Sequence, residues 1–350
     1  MFEYFRRDLV FKSPAGTSRG VLLNKPSWFL QSFQKGELQA VSECSIIPGL
    51  SIDEIDRINS SLDRLVHGKW SVSEILEDSS MIEKLPALRF CLENIQKSAE
   101  ADNPFVLEIN AFTRGEIGIP INGLIWMGDR QHMYDQIRAK IEQGFDCIKL
   151  KIGAIALDDE IGLLAYIRKH FNSDQIELRL DANGAFDADQ ALDVLKRLSD
   201  YDIHSIEQPI KPRQWPAMKD LCEHSPIPIA LDEELIGIPD YDDKSSLLDE
   251  VRPQYIILKP SLVGGFGASD EWISLADKFD IGWWATSALE SNIGLNAIAQ
   301  WVSSMDTSLP QGLGTGQLFT NNIDCPLIIK EGHLWYDTHV HWDTSSLLTN

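Results

Sequence analysis

The feature that most constrains this chain is a rhythm beginning near residue 119, in which short apolar runs, each closed by a polar or charged residue, alternate with longer amphipathic stretches. The runs span residues 121–126, 147–151, 176–181, 204–207, 227–232, 255–259 and 282–286, and a glycine-rich eighth covers 312–316. Helix-like segments lie between them at 133–143, 158–170, 188–198, 215–223, 269–278 and 294–305. In the third of these, Ala191, Leu192, Leu195 and Leu198 recur at helical spacing with charges between them. Continuous apolar runs alternating with helices mark a parallel sheet covered by helices on its faces. Eight such units within about 200 residues favour a closed (β/α)8 TIM-type barrel, an α/β fold, over an open sheet.

Residues 1–107 follow a different pattern: alternating stretches at 2–11 and 19–29 precede helix-like segments at 52–65, 71–76 and 85–98. Strands followed by helices predict a separate α+β module. The barrel is then expected over 108–320, and the extended tail, 321–350, is expected to return to the N-terminal module.

The residues that close the runs carry the chemistry. The second run ends Lys149-Leu150-Lys151. Residues two apart on a strand share a face, so Lys149 sits one layer below Lys151. Two ammonium groups on one face repel, which is expected to lower the pKa of at least one and make it a usable general base. Taken alone, Lys-x-Lys is ordinarily a surface pair. The third run ends Arg179-Leu180-Asp181-Ala182-Asn183, the fourth Glu207-Gln208-Pro209 and the fifth Asp232-Glu233. Asp181, Glu207 and Asp232 follow one another at intervals of 26 and 25 residues, about one βα unit. Consecutive strands therefore bring them side by side on the C-terminal rim, where barrel active sites lie. A single Asp at a strand end is usually a cap; three in phase repel unless a cation lies among them. Hard oxygen donors in that number suit Mg²⁺. The sixth run ends Lys259-Pro260, and proline cannot continue the ladder, so Lys259 enters the same mouth across the carboxylates from Lys151. Two lysines and a metal together call for a small anionic carboxylate substrate.

Composition removes other classes of partner. Thirty-one basic residues against 53 acidic ones leave a net charge of −22, which argues against nucleic acid and against an anionic membrane surface. Most of these acids read as solvated surface. No window approaches the roughly 18 uninterrupted apolar residues of a membrane span, and the N-terminus lacks the apolar core of a signal peptide. Five scattered cysteines without CxxC spacing predict a reduced, cytoplasmic setting. His67, His204 and His224 have no partner at ligand spacing, and Trp283 and Trp284 read as core or interface.

Lys149-x-Lys151, Asp181-x-Asn183, Glu207, Asp232-Glu233 and Lys259-Pro260 together resemble the enolase superfamily, and more narrowly its muconate-lactonising subgroup with paired lysines. The racemase branch that places a His on the seventh strand does not match, because that segment reads Ile281-Gly282-Trp283-Trp284-Ala285-Thr286-Ser287. The resemblance implies a barrel with an N-terminal capping domain completed by the tail. It implies Mg²⁺, with Mn²⁺ as a substitute, on Asp181, Glu207 and Asp232, with Lys151 as the base and Lys259 opposite. Lys149, Arg179, Asn183 and Glu233 are implied as supporting groups. Three patterns resemble the dehydratases of the subgroup: Thr17-Ser18-Arg19-Gly20-Val21-Leu22, residues 119–126, and Ser287-x-x-Glu290-Ser291-Asn292-Ile293-Gly294-Leu295. They imply substrate contacts at residues 15–20, including Ser18 and Arg19, at residues 45–51, and at Ser287, Gly312 and Gly314. The reaction implied is loss of water from a hydroxycyclohexadiene carboxylate through an enediolate. An N-acylamino-acid racemase of the same subgroup shares every catalytic position, and a non-catalytic barrel that kept its metal is the alternative from another class. The Asp-x-Asp of dipeptide epimerases is missing, since residues 312–317 contain no acid.

Overall fold

A computed structural model describes residues 1–17 and 20–347. The N-terminal sheet is antiparallel in the order β1 (Phe2–Thr17), β2 (Gly20–Gln34), β3 (Glu37–Ser45). Four helices follow: α1 (Ile55–Val66), α2 (Val72–Glu77), α3 (Ser79–Ile82) and α4 (Pro86–Glu100). Side chains alternate along β2 between two buried environments. Trp28 and Leu30 join Ala40, Cys44 and the apolar stripes of α1 and α4, while Phe29 joins Leu9 and Val41 on the face turned to the barrel. Covered on both sides, the middle of β2 is buried without interruption from Lys25 to Gln31. Helix α4 starts with Pro86 in its first turn, and Asp53 Oδ1 accepts from the backbone N–H of Ala87 at 2.9 Å and of Leu88 at 3.3 Å. Strand β3 was not expected from the sequence, because its buried Ser42 and Glu43 break the apolar alternation.

The short β4 (Ile119–Pro120) precedes the barrel strands β5 (Gly123–Ile125), β6 (Cys147–Lys151), β7 (Glu177–Asp181), β8 (Ile203–Glu207), β9 (Ile229–Leu231), β10 (Tyr255–Leu258) and β11 (Gly282–Ala285). These seven are parallel and pair in chain order. The eighth unit is the shortest: Gln311 bridges Ile121 and Gly312 bridges Thr286, so two residues close the ring between β11 and the first strand. The covering helices are α5 (Arg130–Glu142), α6 (Leu157–His170), α7 (Ala188–Leu198), α8 (Trp215–His224), α9 (Tyr241–Val251), the single turn α10 (Pro260–Val263), α11 (Gly265–Phe279) and α12 (Asn292–Ser303). Helix α9 was not expected. Only Leu247, Leu248 and Val251 are apolar and buried in it, among four acids.

The tail forms the hairpin β12 (Leu327–Lys330) and β13 (His333–Tyr336), turned by Glu331 and Gly332 with positive φ. β13 pairs with β4 beneath the barrel. On either side of the hairpin the tail meets the capping sheet: Val10 N–H donates to Asn321 Oδ1 at 2.9 Å, and Gln31 Nε2 donates to Leu347 O at 2.9 Å. No helix among the described residues is long and apolar enough to cross a membrane.

Candidate active site

Register alone aligns the rim. Lys151 stands opposite Asp181 across β6 and β7, and Asp181 stands opposite Glu207 across β7 and β8. Asp232 follows β9 directly and Lys259 follows β10. All three carboxylates are buried, and the tips of Lys151 and Lys259 remain partly accessible. Lys149 Nζ lies 3.0 Å from Asp181 Oδ2 and donates to Glu207 Oε2. Lys151 Nζ donates to Asp181 Oδ2 at 2.8 Å and to Asn183 Oδ1 at 2.7 Å. Lys259 Nζ donates to Asp232 Oδ2 and lies 3.8 Å from Glu207 Oε1. Asn183 Nδ2 donates to Glu233 Oε1 at 3.0 Å, which joins both residues to Lys151.

Charge in this cluster is unevenly balanced. Burial alone would raise Asp181, yet Lys149, Lys151 and Lys259 hold it well below the ordinary carboxylate range. Burial, then Asp181, pushes Glu207 up to about 8 against Lys149 and Lys259. Burial also raises Asp232, with Glu233 adding to the rise and Lys259 opposing it. The expected lowering of a lysine by its like-charged neighbour does not occur at Lys149. Burial would lower it, but Asp181 and Glu207 outweigh that and hold it above its usual value. Burial would likewise lower Lys259, and Asp232 and Glu207 reverse the sign.

Among the described residues no three carboxylate, histidine or cysteine groups are drawn together at ligand spacing. The ammonium groups interleave the trio, Lys149 between Asp181 and Glu207, Lys259 between Glu207 and Asp232. The donor set nevertheless fits a divalent cation. Glu207 Oε1 is a buried oxygen with no hydrogen-bond partner, and burial raises both Glu207 and Asp232 despite the ammonium groups beside them. Buried hard oxygens of this kind are what a divalent cation would satisfy.

Arg179, implied as a supporting group one layer behind the site, lies on β7 two residues before Asp181. Its guanidinium donates to Glu177 Oε1 at 2.7 Å and Pro310 O at 2.8 Å, and lies 4.2 Å from the ring of Trp284, filling the barrel interior below the rim. Gln208 ties two carboxylate-bearing strand ends together. Its Oε1 accepts from Asp232 N–H at 3.2 Å and from Glu234 N–H at 3.1 Å. Asn183 and Gln208 both have positive φ just beyond the acids they follow, a strained conformation that tertiary contacts must hold.

A cavity of about 140 Å³ opens over the rim, with Lys149, Lys151, Asp181 and Lys259 at its floor. Of the expected substrate contacts, Ser287, Gly312, Gly314 and Gly20 line it; Ser18 and Arg19 lie outside the described residues. In the 45–51 loop the wall is made by Ile47, Pro48 and Leu50, an apolar surface. Two further lining groups are buried oxygens without a hydrogen-bond partner: Asn122 Oδ1 and Thr286 Oγ1. The only trace of Asn122 in the sequence is a polar residue inside an apolar run. Gly312 makes room for Thr286, since a Cβ there would lie 2.4 Å from its hydroxyl.

Comparison with known proteins agrees with this geometry. Residues 132–339 match the family model described as enolase C-terminal domain-like. The chain is 48% identical over 361 aligned positions to an o-succinylbenzoate synthase of Desulfotalea psychrophila, covering 95% of this chain and 98% of that protein. The crystal structure of MenC from Desulfotalea psychrophila LSv54 superposes with a TM-score of 0.84 at 43% identity, covering 95% of this chain and 99% of that one. A muconate lactonizing enzyme from Pseudomonas fluorescens shares the fold, with a TM-score of 0.81 at 21% identity over 99% of this chain and 97% of that one. The chain belongs to the enolase superfamily and, within it, to the family of the o-succinylbenzoate synthases.

Proposed function

We propose that this chain dehydrates 2-succinyl-6-hydroxy-2,4-cyclohexadiene-1-carboxylate to o-succinylbenzoate, a step of menaquinone synthesis, with Lys151 and Lys259 acting from opposite sides of one rim. The observation that carries the reading is that both lysines reach one cavity beside three buried carboxylates, in a chain nearly half identical to an o-succinylbenzoate synthase. Asp181, Glu207 and Asp232 would hold a divalent cation, Mg²⁺ or in its place Mn²⁺, which when bound supplies a Lewis acid to the substrate carboxylate.

The difficult step is removal of the ring proton α to that carboxylate, because its product is a doubly charged enediolate. Neutral Lys151 takes this proton. The C–H electron pair is held in the enediolate, which then collapses to form the new ring double bond as the neighbouring C–O bond breaks. The departing hydroxyl takes the proton back from Lys151 and leaves as water. Lys259, kept cationic by Asp232 and Glu207 against its burial, faces the developing negative charge. Asn183 orients Lys151 through the 2.7 Å hydrogen bond between them. The apolar wall of Ile47, Pro48 and Leu50 keeps water from the reacting ring.

A cytoplasmic setting is supported by five free cysteines, three of them buried. The test is direct: purified protein with Mg²⁺ should consume the diene absorbance of the substrate and yield o-succinylbenzoate. Racemisation of N-acyl amino acids without any diene loss would favour the racemase that the same two lysines also fit.

A further inference from the structure

A buried charge network reaches the cavity from the capping sheet. On the barrel-facing side of β2 and β3, Lys25, Ser27, Glu43 and Ser45 are all fully buried, with Ser27 directly opposite Ser45. Lys25 Nζ donates to Ser27 Oγ at 3.2 Å and also to Ser45 Oγ, and Ser27 Oγ donates to Glu43 Oε1 at 2.7 Å. Beyond the sheet, Glu43 accepts from three groups at the start of α12: Ser291 N–H at 3.0 Å, Ser291 Oγ at 2.5 Å and Gly294 N–H at 3.0 Å. Gly294 permits this approach, because a Cβ there would lie 3.0 Å from Glu43 Oε2 and 2.7 Å from the Glu290 side chain.

The next link is Glu290, which precedes Ser291 and is also fully buried. Its Oε2 accepts from Ser287 Oγ at 2.7 Å and its Oε1 accepts from Ser261 Oγ, two residues beyond Lys259. Ser287 Oγ in turn accepts from Thr315 Oγ1 at 2.7 Å and from Leu289 N–H at 3.0 Å. Ser287, Leu289 and Thr315 line the cavity, whereas Glu43 and Lys25 do not. A buried carboxylate at a helix N-terminus makes strong, directional bonds, and the backbone donors it serves have no other partner in a dry interface.

We infer that Glu43, backed by Lys25, is a positioning residue for substrate, through which the capping domain holds the cavity-lining loop of residues 287–291 in place. Ser287 and Leu289 of this loop line the cavity over the rim, and the succinyl arm of the substrate is assigned to them. This inference rests on the dehydratase reading above. Loosening the loop weakens capture of the arm and leaves proton transfer at Lys151 intact.

The test compares wild type with Glu43→Gln, which keeps the size but turns an N–H₂ toward backbone donors, and with Ser291→Ala, which deletes one partner and leaves the charge in place. Glu43→Gln is expected to raise KM for the diene substrate about tenfold or more, with kcat within about threefold and Mg²⁺ affinity unchanged. Binding of o-succinylbenzoate should weaken by a similar factor while binding of benzoate, which lacks the arm, stays the same. Ser291→Ala should move in the same direction by about threefold. An unchanged KM in both variants overturns the inference, and so does a parallel fall of kcat and Mg²⁺ affinity, which would make Glu43 merely structural. Wild type that never consumes the diene overturns the dehydratase reading instead. The positioning claim is then read from hydrogen exchange of amides 287–294: faster exchange in Glu43→Gln supports it and unchanged exchange removes it.

Discussion

At Lys149, burial that would drive an ammonium group toward neutrality meets Asp181 at 3.0 Å and a direct bond to Glu207, and the carboxylates prevail. It is therefore a fixed charge within the carboxylate cluster. Lys151, one layer higher, touches only Asp181 of the trio and shares its ammonium with the neutral amide of Asn183. This difference is what the proposed division between a structural cation, Lys149, and a base, Lys151, rests on. Lys151→Ala should lower kcat by about a thousandfold, while a calorimetric titration finds Mg²⁺ affinity changed only a few-fold. Gln208→Ala acts on the other function. Removing the acceptor for Asp232 N–H and Glu234 N–H should weaken Mg²⁺ binding about tenfold, measured by the same titration. The five principal residues were legible because each closes an apolar run in phase with its neighbours. Gln208, Asn122 and Thr286 were not, since their roles depend on unpaired or shared oxygens that only three-dimensional distances reveal. Arg179, two residues before Asp181 on the same strand, sits one layer deeper, where it meets Trp284 and Pro310.

Among the elements, the barrel strands were readable where both faces are buried, and β6 has the bounds expected for it. Strand β3 and helix α9 were hidden by polar residues at positions that context buries or tolerates, Glu43 in one and a run of acids in the other. The eighth strand shrinks to Gln311 and Gly312, which bridge both neighbours. Gly312→Ala should therefore cost about 1–3 kcal/mol in chemical denaturation and lower kcat/KM, because the new methyl displaces Thr286 from the cavity wall. The start of α4 carries a pH dependence of its own. Burial pushes Asp53 up to about 7 despite its bonds to the backbone N–H of Ala87 and Leu88. A folded-state value above the unfolded one means the folded chain holds the proton more tightly. The stabilisation is complete below about pH 4 and is lost as pH rises through 7. Asp53→Asn should remove this slope, so that wild type loses up to about 4 kcal/mol relative to the variant between pH 4 and 8 in urea unfolding.

For the whole molecule, two carboxylates of the capping domain are seated on barrel helices. Glu43 holds the start of α12, and Glu93 Oε2 accepts from Phe266 N–H at 2.6 Å and Gly267 N–H at 3.2 Å at the start of α11. The tail adds a third tie by spanning from the sheet beneath the barrel to the capping strands. Ligand binding at the rim is thereby coupled to the stability of the assembled chain. Mg²⁺ at a hundred times its Kd should stabilise the protein by about 2.7 kcal/mol, visible as a higher Tm that EDTA reverses. The most direct measurement follows the diene absorbance of 2-succinyl-6-hydroxy-2,4-cyclohexadiene-1-carboxylate mixed with wild type, with the EDTA-treated protein and with Lys151→Ala. The account predicts rapid loss of absorbance with formation of o-succinylbenzoate in wild type, recovery of the chelated sample on adding Mg²⁺, and only background change in Lys151→Ala. Turnover by Lys151→Ala at the wild-type rate, or full activity in EDTA, would contradict it.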